Sequence, residues 1–207
     1  MNQIHALHDY VKFMEGYPGE VMVLYRELLI GVTQFFRDRE VFDELESRYL
    51  PALFERVESR EIRFWVAGCS SGEEAYTLAM LSREVAERLG KSIEIKIFAT
   101  DLDHEAILRA SSGLYPESIA ADLPPGYLTK YFHRREDHRY QVARVLREMV
   151  VFAQHNLIKD PPFTNIELVS CRNLLIYLQP VLQRKAMELM NFSLNPQGLL
   201  LLGSSET

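Results

Sequence analysis

The sequence predicts an α/β fold built on a doubly wound, mainly parallel sheet, and three observations carry that prediction. Short apolar runs rich in Val, Ile and Phe alternate with longer segments whose apolar residues recur every three or four positions. Glycine-containing turns join the two kinds of segment, most clearly at Val66-Ala67-Gly68-Cys69-Ser70-Ser71-Gly72-Glu73. At 207 residues and 47% hydrophobic, the chain is long enough to bury one core, and it shows no internal repeat that would suggest an array.

Taken in order, residues 4–30 read as helical with a break at Gly16-Tyr17-Pro18-Gly19. A second helix is expected over 39–57, where Val41, Phe42, Leu45, Tyr49, Leu53 and Val57 recur at helical spacing, kinked or divided at Pro51. Strands are then expected over 63–67, 93–100, 150–154, 167–171 and 199–203, with helices over 73–89, 104–112 and 180–194. Strands alternating with helices form parallel βαβ units, whose ligands sit at the carboxyl ends of the strands. One stretch breaks the alternation. Residues 127–150 place Tyr131-Phe132, Tyr140-Gln141-Val142 and Val145-Leu146 between charged residues, and read as a small inserted antiparallel β ribbon. The expected organisation is an N-terminal helical segment over 1–36 followed by a ligand-binding domain over 37–207.

Composition narrows the function classes. The net charge of −6 is a poor match to nucleic acid, which requires clustered Lys and Arg, and the basic stretch 133–147 is interrupted by Glu136 and Asp137. No window approaches 18 uninterrupted apolar residues, so no membrane insertion is expected, and the N-terminus lacks the form of a signal peptide. Cys69 and Cys171, about a hundred residues apart, form neither a disulfide framework nor a zinc pattern and suit a reducing cytoplasm. The six histidines are scattered, so no metal is expected.

The turn at 68–74 is the candidate site. Ser71 and Glu74 have the spacing of a capping box, so a helix begins there, offering free N–H groups. Neither the dinucleotide nor the P-loop glycine pattern is met. A carboxylate at Glu73 repels phosphate but welcomes an ammonium, which points to S-adenosylmethionine. Asp101 ends the next strand, where a carboxylate accepts hydrogen bonds from a ribose diol, and Asp103 reads as the N-cap of the following helix.

These residues stand within six segments, in order "GVTQFFRD" (31–38), "AGCSSGEEAYTLAM" (67–80), "FATDLD" (98–103), "SGLYPES" (112–118), "FAQHNLIKDPPF" (152–163) and "SCRNLLIYL" (170–178). Together they resemble the CheR family of chemotaxis receptor methyltransferases, from about residue 20 onward, and most closely CheR domains fused to the methylesterase CheB. The resemblance implies a class I S-adenosylmethionine-dependent methyltransferase fold, with S-adenosylhomocysteine as product and methyl-accepting chemotaxis receptors as partners. It implies that Glu73 and Asp101 contact the cofactor, that Thr33 and Arg37 line the site from the N-terminal side, and that Asn156 and Leu157 border the adenine. Arg172 and Asn173 would line the pocket, and Tyr177 would stand near the methyl group with Arg37. Phe35 and Phe36 are expected to bury the base of Arg37.

Three departures from the family pattern stand out. Gly31 occupies a position where many members have Asn, the N-terminal helical region is short, and the chain stops after the 199–203 strand, before the reversed strand that the resemblance implies. An exposed sheet edge is therefore expected. The implied reaction methylates glutamate carboxylates, which are already ionised at neutral pH and need no general base. Two rivals stand beside it. "DPPF" (160–163) resembles the signature of nitrogen methyltransferases, but precedes a strand where theirs follows one. The other rival is a non-catalytic S-adenosylmethionine-binding sensor or scaffold.

Overall fold

The structure, a computed structural model, describes residues 7–17, 19, 20, 24, 33–57, 59 and 61–206. The chain divides into two compact units, 1–32 and 33–207. In the first, α1 (Leu7–Gly16) ends at the expected glycine, and the Tyr10 hydroxyl donates to Glu20 at 2.9 Å. Gly31 lies outside the described residues.

The second unit opens with a helical stretch in three parts. α2 (Arg39–Glu44) runs through a π-helical segment, Leu45–Tyr49, into α3 (Leu50–Arg56). Pro51 explains the division: it has no N–H for the carbonyl four residues back, and the wider turn just before it absorbs the mismatch.

The sheet follows. β1 (Glu61–Ala67) leads through a tight turn into α4 (Glu73–Arg88), and β2 (Glu94–Asp101) into α5 (His104–Ser112). Next come β3 (Leu114–Pro116), α6 (Tyr127–Tyr131), β4 (Phe132–Arg134), β5 (Arg139–Val142) and the short α7 (Arg144–Arg147). β6 (Val150–Gln154), β7 (Ile166–Cys171), α8 (Pro180–Ser193) and β8 (Leu194–Leu202) complete it. The main sheet has the order β6-β2-β1-β7-β8, and every pairing in it is parallel. The doubly wound parallel sheet expected from the alternation is thus the observed fold.

The central strands show why the pattern was readable. All six residues of β7 are buried, as a strand covered on both faces requires. Along β1, Phe64 and Val66 enter one apolar cluster with α4, while Trp65 and Ala67 enter the other with Ala186 and Met190 of α8. β6 and β8 are the sheet edges among the described residues.

The antiparallel element draws on more of the chain than 127–150. It has three strands in the order β3-β5-β4, and β3 comes from the "GLYP" segment. Within 127–150 itself, Tyr127–Tyr131 is helical, and Val145-Leu146 lies in α7 and not in a strand. Apolar pairs spaced by charges fit one helical turn as well as a ribbon when the segment is this short.

Candidate active site

The connections after β1, β2, β6 and β7 all leave the same edge of the sheet, the carboxyl ends of parallel strands. The order reverses direction at β1, with β2 on one side and β7 on the other, which is where doubly wound sheets open a ligand crevice.

The β1–α4 turn is folded back against β2. The N–H groups of Gly68 and Cys69 both donate to the Thr100 carbonyl, at 2.8 and 2.9 Å. Gly72 caps α4 with φ 93°, and a Cβ there would stand 2.9 Å from Ala110 Cβ and 3.1 Å from the Phe152 ring. Only glycine meets both demands. This corrects the capping-box expectation. With Gly72 in the left-handed region, the cap moves one residue on from Ser71. The Ser71 hydroxyl then donates to Glu73, at 2.9 and 2.8 Å from its two oxygens. Glu74 is released into the sheet, where it accepts from Ser170 Oγ at 2.6 Å and Arg172 Nη1 at 3.0 Å.

Glu73 is 9% exposed. Burial pushes its carboxyl up from 4.5 to about 7, against the lowering effect of its own N–H and the Ser71 hydroxyl; Asp122 adds to the rise and Arg109 opposes it. Burial also raises Asp122 and, beside Asp101 and Glu74, the Cys69 thiol. Among the described residues Glu73 has a hydroxyl partner and no ion pair, Arg109 acting only from a distance, and a buried carboxylate of this kind is completed by an ammonium group.

Asp101 accepts from the N–H groups of Ser70 at 2.8 Å and Asp103 at 2.9 Å, one on each oxygen. Each oxygen keeps a further acceptor direction, enough for two ribose hydroxyls. Its carbonyl accepts from His155 N–H at 2.9 Å, joining the ends of β2 and β6. Asp103 caps α5 as expected, accepting from Glu105 N–H at 3.0 Å. The acceptors Glu73 and Asp101 suit the chemistry of S-adenosylmethionine, which carries both an ammonium and a ribose diol.

After β6, Asn156 organises a turn. Its side-chain oxygen accepts from the N–H groups of Ile158 and Lys159, and its own N–H donates to Asp160 at 2.7 Å. Leu157 is half-buried against the α8-side cluster. Asp160 is thus a turn acceptor, and Phe163 stacks on Phe98 at 4.8 Å with its edge partner Trp65 at 5.2 Å. "DPPF" performs packing before β7 and does not end a strand, which removes the support for nitrogen methylation.

The loop 33–38 enters from the other side. Phe35 and Phe36 are buried, and meet Tyr115 and Tyr127 edge-on at 4.9 and 5.5 Å. Phe36 N–H donates to Thr77 Oγ1 at 3.2 Å. Phe36 and Asp38 have φ of 53° and 59°, a conformation that costs an L-residue roughly 1–2 kcal/mol. Thr33 and Arg37 are half-buried on this loop. Arg172, just past β7, donates from Nη2 to the Arg37 carbonyl at 2.9 Å and to Asp38 Oδ2 at 2.6 Å. Asn173 follows with φ 57°, and Tyr177 lies on a 3-10 turn, Leu175–Tyr177, with its side chain 48% exposed.

Sequence reasoning missed four participants. Ser71 holds Glu73, and the Tyr115 hydroxyl donates to the Ser71 carbonyl at 2.7 Å. Asp38 and Ser170 engage Arg172 and Glu74. Each stands inside a segment quoted above, but a hydroxyl or carboxylate in a motif does not announce its partner. Among the described residues no His, Cys, Asp and Glu cluster is placed to hold a metal, and no helix is long and apolar enough to cross a membrane.

Comparison with known proteins agrees with this geometry. Residues 31–207 match the family described as CheR methyltransferase, SAM binding domain. The chain is 36% identical over 206 residues to the chemotaxis protein methyltransferase of Borreliella burgdorferi, covering 96% of this chain and 73% of that protein. It is 32% identical over 201 residues to chemotaxis protein methyltransferase 2 of Vibrio cholerae, covering 96% and 69%. An uncharacterized 104.1 kDa protein in the hypE 3' region of Rhodobacter capsulatus is 42% identical over 207 residues; the chain spans 22% of its length. With a parallel sheet, an acidic strand-end site and these matches, the chain belongs to the CheR methyltransferase family and carries its S-adenosylmethionine-binding domain.

Proposed function

We propose that this domain transfers the methyl group of S-adenosylmethionine to glutamate side chains of chemotaxis receptors, forming methyl esters and releasing S-adenosylhomocysteine. The observation that carries the reading is the pair of carboxylates at neighbouring strand ends, Asp101 held by two backbone N–H groups and buried Glu73 held by Ser71. In this reading Asp101 takes the ribose, Glu73 the ammonium, and Asn156 and Leu157 border the adenine. Thr33 and Asn173 complete the lining. The acceptor glutamate has an ordinary pKa of about 4.3 and arrives ionised, so no general base is required. Its oxygen attacks the methyl carbon as the neutral thioether leaves. Opposite charges vanish on the way, so a closed site and exact placement are what the protein supplies. Arg37 orients the incoming carboxylate, and Tyr177 stands beside the reacting groups. The whole protein's partners, including a fused or associated CheB methylesterase, and its cytoplasmic location belong to the same proposal.

The bond formed tests it. Receptor-containing membranes incubated with radiolabelled S-adenosylmethionine and the protein should acquire label that becomes volatile in alkali, because a methyl ester hydrolyses to methanol. Replacing the acceptor glutamates by alanine should abolish it. Base-stable label would contradict ester formation, and cofactor binding with no label would favour the sensor reading.

A further inference from the structure

We infer that Glu206 and Gln183 are positioning residues: from two sides they clamp the turn 174–178, and so fix where Tyr177 and the neighbouring Asn173 stand. This rests on the proposed places of Asn173 in the cofactor pocket and of Tyr177 beside the reacting groups.

The turn lies at the candidate site. It follows β7 at the carboxyl edge of the sheet, and Leu174 packs on the β1–α4 turn, where a Cβ on Gly68 would stand 3.0 Å from Leu174 Cδ2. Its backbone hydrogen bonds run from Tyr177 N–H to the Leu174 carbonyl at 3.1 Å and from Leu178 N–H to the Leu175 carbonyl at 2.9 Å. A single 3-10 turn is a weak device. Its geometry is poor, and its first N–H groups have no partner inside it. Tyr177 is half exposed, so the backbone of the turn, more than packing of the ring, decides where the hydroxyl goes.

Two side chains from distant elements make up the deficit. Glu206, past the end of β8, accepts on Oε1 from the N–H groups of Leu174 at 2.7 Å and Leu175 at 3.1 Å. Its Oε2 accepts from Gly203 N–H at 2.6 Å, which anchors the carboxylate on the backbone after β8. Bonds to an ionised acceptor are roughly twice as strong as neutral ones. Gln183, near the start of α8, works from the carbonyl side: its Nε2 donates to Leu175 at 3.0 Å and to Leu178 at 3.1 Å. The roles are not interchangeable, because a carboxylate has nothing to donate and an amide NH₂ cannot accept. The charge of Glu206 also opposes ionisation of Glu74 and Cys171, so its contribution here is the hydrogen bonds and not charge balance.

The test uses Glu206→Ala, Glu206→Gln and Gln183→Met in the 207-residue chain. Alanine removes all three acceptor contacts. Glutamine keeps an oxygen for Leu174 and Leu175, and methionine keeps the length of Gln183 without its donor. Ester formation on receptor-containing membranes should show a kcat loss of about tenfold to a hundredfold for Glu206→Ala, the scale of a small misplacement of a reacting group. Gln183→Met should lose about threefold to tenfold, and Glu206→Gln should stay within about threefold of wild type. The Kd for S-adenosylhomocysteine should stay within about fivefold in all three, a split that separates positioning from binding. Amide exchange over residues 174–178 should accelerate at least about tenfold in Glu206→Ala and Gln183→Met, with exchange in β7 unchanged. Unchanged exchange in the turn would overturn the inference, as would kcat within about twofold of wild type in both of these variants. Affinity lost in parallel with kcat would make the pair part of cofactor binding and overturn it too. Glu206→Gln as impaired as Glu206→Ala would show that the charge matters and not the acceptor geometry. If Glu206→Ala does not fold, Gln183→Met and Glu206→Gln decide. Absence of ester from the wild-type protein would defeat the proposed reaction, and the exchange readout would still decide whether the pair holds the turn.

Discussion

Cofactor affinity should depend on pH through Glu73. The folded protein without cofactor holds the Glu73 proton up to about 7, whereas the unfolded chain releases it near the ordinary 4.5. The difference corresponds to about 3 kcal/mol. The sign follows from which state binds the proton more tightly. Ionising Glu73 costs the folded state, so its stability falls as pH rises from about 4.5 to about 7 and the full penalty applies above that. Asp122 and Arg109 are the charged groups that face Glu73, with opposite effects. An ammonium ligand pairs with the ionised form and relieves the penalty. If S-adenosylhomocysteine binds only that form, its apparent Kd should rise about eightfold from pH 7.5 to pH 6, and about half a proton should be released on binding at pH 7. Calorimetry in buffers of different ionisation enthalpy reads both quantities. Glu73→Gln should remove the slope and the proton release, and weaken binding at pH 7.5 by about 1.5–3 kcal/mol. The same variant without cofactor should match or exceed wild-type stability at pH 8, because an uncharged side chain suits the burial. A flat wild-type profile, or an equal slope in Glu73→Gln, would refute the assignment of Glu73 to the ammonium.

Two further outcomes follow from the same carboxylates. Asp101→Ala should weaken S-adenosylmethionine binding by about 1–3 kcal/mol, the cost of leaving polar partners unpaired, and unchanged affinity by calorimetry would remove the ribose role. Glu74→Ala should destabilise the fold by about 3–5 kcal/mol in urea denaturation, because it leaves the buried Arg172 guanidinium with one acidic partner, half exposed Asp38. A loss below about 1 kcal/mol would show that Glu74 contributes little to holding that charge.

Much of the fold was legible because the central strands are buried on both faces. Phe64–Ala67 of β1 is a continuous apolar run ending at a glycine turn, and β7, though it carries Glu167 and Ser170, is a short segment bounded by polar turns; such segments have few other interpretations. β3 was not legible: it is three residues long and ends in proline, and it becomes a strand through pairing with β5, about 25 residues later. Within the candidate site, Glu73 and Asp101 could be singled out because one opens the helix after β1, the other ends β2, and the chemistry of each is local. Arg172 could not be placed in the same way. Its partners Asp38 and Glu74 lie 134 and 98 residues before it, so only the folded chain shows that the guanidinium is engaged by protein groups. The failed capping box has a different cause. Ser71 and Glu74 match the pattern, but Gly72 permits a backbone turn that the pattern does not encode.

The strand-end edge is acidic, and in the proposed reaction the acceptor is another carboxylate. Repulsion would oppose its approach unless the resident charges were already compensated. The structure supplies compensation for two of them: Glu74 by Arg172 and Ser170, and Asp101 by two backbone N–H groups. Glu73 is the exception, compensated at neutral pH only in part by a proton. The cofactor's ammonium would complete the set, so that in the proposed reaction the acceptor meets the sulfonium and Arg37 with the resident carboxylates compensated. On this reasoning the electrostatics favour cofactor binding before acceptor binding.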